Sequence, residues 1–338
     1  MPFDSTKIRA ALRYQRSRWL TSMALTVYSA GALAQGQPTD YPAKPVTVVV
    51  GFSAGSTNDA SARVISKRLS ETFGQQFMVV NREGAAGALS GAMVAKSRPD
   101  GYTLLWASSA TLVTGPAFHG NTAYDPVADF SPVSVFCYLP YVMVINPAVP
   151  AENLSSFLDL ARRQPDKLAY GSTGQGGTLH LAIELMQHMS KVRMVHVPYK
   201  GTPSLIVDLL SGQIQLGVMS VNLVAPHVKS GRMKAVAVTS NQRTSLLPEV
   251  PTVDESGLKG YDVRGWYGVV APARTPNAVV AALNKAIVQG LDHAEVKAVI
   301  AREGARPGGE SPEHFAQFLR SERDVYRKLI ADANLRKE

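Results

Sequence analysis

Two short segments rich in glycine and hydroxyl side chains are the strongest candidates for chemistry in this sequence. The first runs from Gly51 to Asp59 and the second from Gly171 to Thr178. Each lies between a run typical of a β-strand and a run with helical spacing. Small residues leave backbone N–H groups accessible, and the N-terminus of the following helix adds roughly half a positive charge. Both segments therefore predict a site that holds an anion through backbone and hydroxyl donors.

The residues predicted to contact a ligand lie in these loops or directly after neighbouring strands. The first group consists of Phe52, Ser53, Ala54, Gly55, Ser56 and Thr57, with Ser109 after a later strand. The second group consists of Ser172, Thr173, Gly177 and Thr178, with Ser220 and Asn222 after another strand.

Two further residues have more than one interpretation. Tyr199 is predicted either to line the ligand cleft or to pack at a hinge. Asp59 would repel a bound carboxylate, so it is interpreted as a helix cap or as a contact between lobes. The cap would be a capping box with Ser56, in which Asp59 stands where Glu is usual.

The first loop also matches G-x-S-x-G, the nucleophile elbow of serine hydrolases, with Ser53 as the nucleophile. A secreted serine hydrolase is therefore the alternative function. The position of this motif argues against a hydrolase, because α/β-hydrolases carry an oxyanion-hole loop before the elbow, whereas here the motif follows the first predicted strand. None of the seven histidines lies in a recognisable triad context, and His180 is interpreted as packed or hydrogen-bonded. We expect no catalytic residues and no enzyme activity.

Motifs for metals and cofactors are not found. The single cysteine, Cys137, excludes a disulfide framework and is interpreted as a buried structural thiol. The sequence has no H-x-x-x-H or H-E-x-x-H pair, no Walker A motif and no G-x-G-x-x-G motif. We therefore expect neither a metal nor a cofactor.

The N-terminal segment has the order of a secretory signal peptide. A basic region, Lys7 to Arg18, precedes an apolar stretch from Trp19 to about Ala32 and the cleavage motif Ala32-Leu33-Ala34. We predict that residues 1–34 are removed after Ala34 and that the chain is periplasmic. An amphipathic N-terminal helix of a cytosolic protein is the less favoured alternative.

Composition and charge narrow the class of partner. The chain has 338 residues, 45% of them hydrophobic and 18% charged, which is typical of a globular protein of two domains. Part of the net charge of +9 lies in the leader, and the remaining charges are scattered and mixed in sign. We therefore exclude nucleic acid as a partner and expect a soluble monomer with an anionic small ligand.

Strands alternate with helices through the rest of the chain. Val46–Val50, Gln76–Val80 and Tyr102–Ala107 are predicted strands, separated by the predicted helices Ala60–Phe73 and Ala88–Ala95. This order predicts a parallel sheet with helices on both faces. A second α/β unit follows, and three helices close the chain.

Two long extended stretches, near residues 140 and 262, are interpreted as connectors between the units. They predict domain 1 over residues 35–139 and 262–338, and domain 2 over residues 140–261. An α/β protein with two lobes joined by two crossing segments has its ligand cleft between the lobes, at the carboxyl ends of the strands.

An ordered series of short segments resembles the substrate-binding proteins of tripartite tricarboxylate transporters, the Bug family. The segments are Tyr41–Pro45, Asp59–Arg63, Asn81–Gly87, Ala95–Leu105, Tyr124–Val133, Lys167–Gly174, His196–Gly201, Ala235–Ser240, Leu247–Thr252, Trp266–Pro272 and Thr275–Pro276. The resemblance implies a two-lobed periplasmic binding fold, similar to type II, that closes on a carboxylate. It also implies delivery of that ligand to a membrane permease, with no enzyme activity. The family's ligands include di- and tricarboxylates, acidic amino acids and aromatic carboxylates.

The first loop departs from the family's pattern. Where the family reads like P-F-P-P-G-G, this chain has Gly51-Phe-Ser-Ala-Gly-Ser56. Phe52 and Gly55 keep their places, whereas both prolines and the last glycine are replaced. We expect a more flexible loop that is richer in hydroxyl groups.

Overall fold

The structure, a computed structural model, describes residues 41–120 and 122–335. The predicted signal peptide and its cleavage site lie outside the described residues. The described part of the chain from residue 42 onward forms two lobes, each built on a mixed β-sheet flanked by helices.

The first lobe contains a six-stranded sheet in the order β11-β4-β10-β3-β1-β2. Its strands are β1 (Val46–Val50), β2 (Phe77–Asn81), β3 (Thr103–Ser108), β4 (Phe130–Leu139), β10 (Gly265–Pro272) and β11 (Arg306–Pro307). The parallel pairing predicted for the first three strands is confirmed. The sheet as a whole is mixed, because β10 returns from the second lobe and pairs antiparallel with β3 and β4.

Six helices belong to this lobe. They are α1 (Thr57–Phe73), α2 (Ala88–Ala95), α3 (Gly115–His119), α8 (Asn277–Leu291), α9 (Ala294–Arg302) and α10 (Pro312–Asp332). A π-helical turn at Ala110–Thr114 leads into α3, and neither element is predicted by the sequence. The turn follows β3 directly, so it places its side chains at the carboxyl edge of the sheet.

The second lobe contains a five-stranded sheet in the order β7-β6-β8-β5-β9. Its strands are β5 (Tyr141–Ile145), β6 (Ala169–Ser172), β7 (Val195–Pro198), β8 (Leu216–Ser220) and β9 (Lys234–Val238). Its helices are α4 (Leu154–Arg163), α5 (Thr178–Ser190), α6 (Thr202–Ser211) and α7 (Val221–Lys229). Strand β6 runs parallel to β7 and β8, whereas β5 runs antiparallel to β8 and β9.

The chain crosses between the sheets twice. Pro140 separates β4 of the first lobe from β5 of the second. The return crossing follows Val263, which is buried in the core of the second lobe, and precedes Gly265 at the start of β10. The domain boundaries at residues 139/140 and 261/262 stay a prediction.

Local sequence explains the two loops that precede α1 and α5. The buried run Val46–Val50 suits a central strand with helices on both faces. Ser56 caps α1, and Gly177 occupies the cap position of α5. Within the described residues, no helix combines the length and the apolar character needed to cross a membrane.

Candidate ligand-binding site

Thr178, the first residue of α5, makes a polar contact between the two lobes. Its hydroxyl lies 3.3 Å from the hydroxyl of Ser109, which follows β3, and 3.2 Å from the hydroxyl of Thr114. All three side chains are buried. Each hydroxyl can donate one hydrogen bond and accept others, so the three form a continuous polar chain across the boundary. Two of the predicted residues, one from each lobe, are thus brought together.

Tyr141 extends this chain to the crossing segment. It is the first residue of β5, and its hydroxyl is hydrogen-bonded to Ser109. Burial raises the pKa of the Tyr141 phenol well above its ordinary value, so the group keeps its proton and remains a donor. A Cβ on Gly265 would collide with this hydroxyl, which explains the glycine at the start of β10. Tyr141 is not predicted as a site residue, although its position directly after Pro140 could have indicated a role at the crossing.

Asp59 organises the first loop. The Ser56 hydroxyl accepts the Asp59 N–H at 3.3 Å, as predicted for a cap. The reciprocal bond of the predicted capping box differs, because the Asp59 carboxylate accepts the N–H of Gly55 at 2.9 Å and not that of Ser56. The carboxylate also accepts from Arg63 at 2.8 Å and from Asn81 at 2.9 Å. All of these partners belong to the first lobe, so the interpretation of Asp59 as a contact between lobes is wrong.

The electrostatics of Asp59 follow from these bonds. Burial disfavours the charged carboxylate, but the hydrogen bonds from Arg63, Gly55 and Asn81 outweigh it and hold its pKa below the usual value. The Asp59 carboxylate is therefore ionised at neutral pH and forms an ion pair with Arg63. The Gly55 N–H is engaged by Asp59, and the Ser56 N–H donates to the Ser53 carbonyl at 3.2 Å. Two of the predicted backbone donors are thus used inside the loop.

The remaining predicted residues of the first loop differ in exposure. Ser53 and Ala54 are exposed, whereas Phe52 and Thr57 are partly buried. The Ser53 hydroxyl donates to the Glu83 carboxylate at 2.9 Å. In the hydrolase alternative this hydroxyl would bond to an imidazole, and within the described residues its side-chain partner is a carboxylate.

Two stacked histidines anchor the second loop. The Gly176 N–H donates to His180 Nδ1 at 3.1 Å, and the Ser172 hydroxyl lies 2.7 Å from His196 Nε2. The two imidazole rings are 4.0 Å apart between centroids and inclined by 23°. Burial, with a contribution from His196, lowers the pKa of His180 to about 3, and burial lowers the pKa of His196 to about 4. Both rings are therefore neutral near pH 7, which His180 Nδ1 must be to accept a hydrogen bond.

Tyr170 and Glu184 form a polar cluster that packs against the two histidines. The ring of Tyr170 stacks on His196 with centroids 4.9 Å apart, and its hydroxyl donates to Glu184. Glu184 lies 3.6 Å from His180 Nε2, and burial raises the pKa of its carboxyl. The interpretation of His180 as a packed, hydrogen-bonded residue agrees with this arrangement. His196 and Glu184 are functional candidates that sequence reasoning missed.

The second loop also packs against the first lobe. Gly176 has φ +76°, and a Cβ there would collide with the ring of Phe118 in α3. Phe118 in turn meets His180 edge to face, with ring centroids 6.1 Å apart. Gly177 is different, because its φ is −71° and a Cβ would find only the Gly174 carbonyl, at 3.6 Å. The N-terminus of α5 at Gly177 therefore has room beside it.

Two predicted residues, Tyr199 and Asn222, have hydrogen-bond partners outside the two loops. The Tyr199 hydroxyl donates to Asp208 of α6 at 2.7 Å, and its ring lies beside Gly171 inside the second lobe. The hinge interpretation of Tyr199 is therefore wrong, and a place in the cleft wall stays a prediction. The Asn222 amide donates to Glu303 of the first lobe at 2.9 Å, while Ser220 occupies the cap position of α7. The predicted Thr173 is exposed.

Neither a metal centre nor a reactive thiol is found in the part of the chain that the structure describes. No group of three or more His, Cys, Asp or Glu side chains there could hold a metal ion. Cys137 is buried and free, and burial raises the pKa of its thiol. The interpretation of Cys137 as a buried thiol is confirmed.

The sequence resembles known proteins along most of its length. The profile of a family described as "Tripartite tricarboxylate transporter family receptor" matches residues 61–335. The UPF0065 protein in the tcbD-tcbE intergenic region of Pseudomonas sp. (strain P51) is 36% identical over 321 residues, which cover 95% of each protein.

Solved structures give the same picture. Rpa4515 of R. palustris, solved with adipate, is 33% identical with a TM-score of 0.74 and covers 87% of this chain and 99% of that one. MatC (Rpa3494) of Rhodopseudomonas palustris, with bound malate, is 31% identical with a TM-score of 0.71, covering 86% and 100%. The periplasmic binding protein BugD is 30% identical with a TM-score of 0.71, covering 88% and 100%.

Proposed function

We propose a function for this chain on the premise that it belongs to the tripartite tricarboxylate transporter receptor family. Members of this family are periplasmic solute-binding receptors, and the predicted family resemblance and two-lobed binding-protein fold are both confirmed. We infer that the chain captures a small carboxylate in the cleft between its lobes. It then delivers the ligand to the permease subunits of a tripartite tricarboxylate transporter.

The observation that carries this proposal is the contact between Ser109 and Thr178. It brings the end of β3 in one lobe against the N-terminus of α5 in the other, at a distance of 3.3 Å between hydroxyls. A helix N-terminus attracts a carboxylate through unpaired N–H groups and its partial positive charge. The open space beside Gly177 leaves this terminus accessible to a ligand.

The charges around the loops are partly balanced. Asp59 is the acidic residue of the first loop, and its charge is balanced by Arg63 through a 2.8 Å ion pair. The Glu83 carboxylate lies beside this loop and accepts the Ser53 hydroxyl at 2.9 Å. His180 and His196 are neutral, so they contribute no positive charge to the site. A carboxylate there would be bound by the backbone and hydroxyl dipoles of the second loop. The site would therefore hold a carboxylate through neutral donors, which suits reversible capture and release.

We propose a dicarboxylate as the ligand class. Two relatives of known structure were solved with adipate and with malate, both short dicarboxylates. A ligand with a carboxylate at each end could use the first loop and the second loop at once. Tricarboxylates, acidic amino acids and aromatic carboxylates belong in the same test.

We propose that the chain is a monomeric receptor and not a hydrolase. The Ser53 hydroxyl is bonded to Glu83, and the second loop carries neutral histidines that bond to other groups. Purified protein should therefore resist serine-directed fluorophosphonate labelling. Stoichiometric labelling that is lost in Ser53→Ala would establish the hydrolase instead.

We also propose export through the N-terminal leader. Protein recovered from the periplasm should begin near Gln35, which N-terminal sequencing would show. An intact N-terminus on a cytosolic protein would contradict a receptor function.

A carboxylate panel tests the proposed function directly. Purified protein should be screened by thermal shift against adipate, malate, citrate, glutamate and benzoate at equal ionic strength. A ligand present at a hundred times its Kd should stabilise the fold by roughly 2.7 kcal/mol. If none of the five raises the melting temperature, carboxylate capture is not supported.

A further inference from the structure

A second cavity lies between the lobes, beside the two crossings of the chain. Its volume is about 250 Å³, and none of its lining residues belongs to the candidate ligand site. One wall comes from the first lobe, at the end of β4 and in residues 304–307. The other comes from residues 240–245, which follow β9 of the second lobe. The Thr244 hydroxyl donates to the Gly304 carbonyl at 3.2 Å and joins the two walls.

The charged residues that line this cavity are all arginines, Arg243, Arg264 and Arg306. Arg243 is paired with Glu255 at 2.9 Å, and Arg264 with Asp262 at 3.3 Å. Within the described residues, Arg306 has no carboxylate at ion-pair distance and Arg264 Nε has no hydrogen-bond partner. Arg306 therefore offers unpaired guanidinium donors to the cavity, whereas the unpartnered Nε of Arg264 is buried.

One aromatic ring positions two of these arginines. The guanidinium carbon of Arg264 lies 4.5 Å from the ring centroid of Tyr138, and that of Arg306 lies 4.7 Å from it. The ring favours one plane for each guanidinium. Arg264 already uses its two terminal nitrogens, toward Asn241 at 3.5 Å and toward Asp262 at 3.3 Å. The N–H groups offered to a ligand are therefore chiefly those of Arg306. The Tyr138 hydroxyl donates to Glu310 at 2.9 Å. The acidic groups near these arginines, Glu310, Asp262 and Glu322, do not line the cavity.

Two like charges held on one ring repel each other, and a bound anion would relieve that repulsion. Planar guanidinium groups bind carboxylate, phosphate and sulfate oxygens through paired N–H donors. Pockets for drug-sized ligands are roughly 300–1,000 Å³, so a cavity of about 250 Å³ suits a smaller molecule. Hydroxyl and amide side chains of Ser240, Asn241 and Ser245 complete the lining.

We propose that this cavity is a second anion site, which binds a small oxyanion between Arg264 and Arg306 at the crossings. Because its walls come from both lobes, the anion links them at a point away from the candidate ligand site. Binding there favours one relative placement of the lobes and so changes the affinity of the carboxylate site. By linkage, the carboxylate changes the affinity for the anion by the same factor.

The oxyanion has two sources that can be separated, free inorganic phosphate or sulfate and a second molecule of carboxylate. Inorganic phosphate, sulfate and malate should each be titrated by calorimetry at constant ionic strength, with chloride as the reference salt. The titrations should be repeated in Gly177→Asp protein, in which the ligand site at α5 is blocked. Malate binding that persists in this variant identifies a carboxylate source.

The arginine variants decide whether the site exists. Arg306→Gln and Arg264→Gln should each weaken oxyanion binding roughly tenfold or more, as expected for losing a charge-assisted hydrogen bond. Arg232→Gln is the matched control, because Arg232 is also exposed, its guanidinium donates to the Ser230 hydroxyl, and it lies outside the cavity. Arg306 is exposed and has no ion-pair partner among the described residues, so Arg306→Gln protein should fold, and its melting temperature without anion is measured beside that of Arg232→Gln.

Oxyanion binding that is retained in Arg232→Gln and lost in Arg306→Gln supports the site. Equal binding in both variants, or no binding of any of the three anions to Gly177→Asp protein at millimolar concentration, overturns it. Malate binding that is lost only in Gly177→Asp protein reports on the carboxylate site of the proposed function. Phosphate binding that is lost only in Arg306→Gln protein reports on the second anion site, so a failure of one proposal can be told from a failure of the other.

Discussion

The hydroxyl of Ser109 lies 3.3 Å from the hydroxyl of Thr178, although the two residues are 69 positions apart and belong to different lobes. Thr178 also reaches Thr114 at 3.2 Å, so a single side chain serves two partners in the first lobe. The contact is buried on both sides. Buried hydroxyls that lose a partner retain their desolvation cost, so this contact is expected to be costly to break.

Thr178→Val tests that cost. Valine keeps the shape of threonine but leaves Ser109 and Thr114 without their shared partner, so we expect a loss of about 1–3 kcal/mol in the free energy of unfolding. Urea unfolding measures it, and carboxylate affinity should fall in the same variant. Thr173→Val is the control, because that side chain lies in the same loop and is exposed. Equal stability of the two variants would show that the hydroxyl chain contributes nothing.

The close approach of Gly176 to Phe118 gives a second prediction. Gly176→Ala introduces a Cβ at φ +76° that collides with the Phe118 ring. The backbone strain alone should lower the free energy of unfolding by about 1–3 kcal/mol, and the collision should lower it further. Gly174→Ala separates the two effects, because its φ is +126° but a Cβ there meets nothing within 4 Å. In a Phe118→Ala background the cost of Gly176→Ala should shrink, as a double-mutant cycle would measure. An unchanged cost would place the whole effect in the backbone.

The stacked histidines predict a dependence of stability on pH. The pKa of His180 is lowered to about 3 and that of His196 to about 4 in the folded protein. The unfolded chain takes up these protons near the ordinary pKa of about 6.5, so it binds more protons than the folded chain below that pH. The contribution of these histidines to the free energy of unfolding is therefore fully present above about pH 6.5. It falls as the pH drops toward 4, by about 1.4 kcal/mol per pH unit for each histidine.

Glu184 acts in the opposite direction, because burial raises the pKa of its carboxyl and the folded state binds that proton more readily. The test is therefore a comparison of urea unfolding between pH 7 and 5 in wild type and in His180→Gln. The slope with pH should be shallower in the variant. Parallel curves would show that His180 does not titrate differently in the folded and unfolded chains.

Local signals explain why most of the fold could be predicted from the sequence. Helix α4 begins at Leu154 because Asn153 and Ser156 form a complete capping box at its start, a signal that is local in the sequence. Helix α1 begins at Thr57 and not at the predicted Ala60, since Ser56 caps it earlier than its apolar spacing indicates. The π-helical turn at Ala110–Thr114 was missed because its β-branched residues give no helical period.

The candidate site was predictable only where it is local. The two loops can be recognised by their high content of glycine and hydroxyl residues. Ser109 could be proposed because it follows a predicted strand, and Thr178 because it precedes a predicted helix. Phe118, Tyr141 and His196 reach the site only through packing between distant segments, and no spacing in the sequence connects them. Asp59 shows the same limit, because its bond to Gly55 depends on the turn of the folded loop.

We infer that both lobes hold the same carboxylate, with the N-terminus of α5 as one anchor. Calorimetric titration of the best carboxylate from the panel into wild type, Gly177→Ala and Gly177→Asp tests this arrangement. Both substitutions place their Cβ without a clash, since a Cβ at Gly177 meets only the Gly174 carbonyl at 3.6 Å. We predict one ligand per chain in wild type, near-normal affinity in Gly177→Ala, and loss of most affinity in Gly177→Asp, where a negative charge occupies the helix terminus. Unfolding curves without ligand should match in all three proteins. Binding by Gly177→Asp as tight as by wild type would contradict the claim.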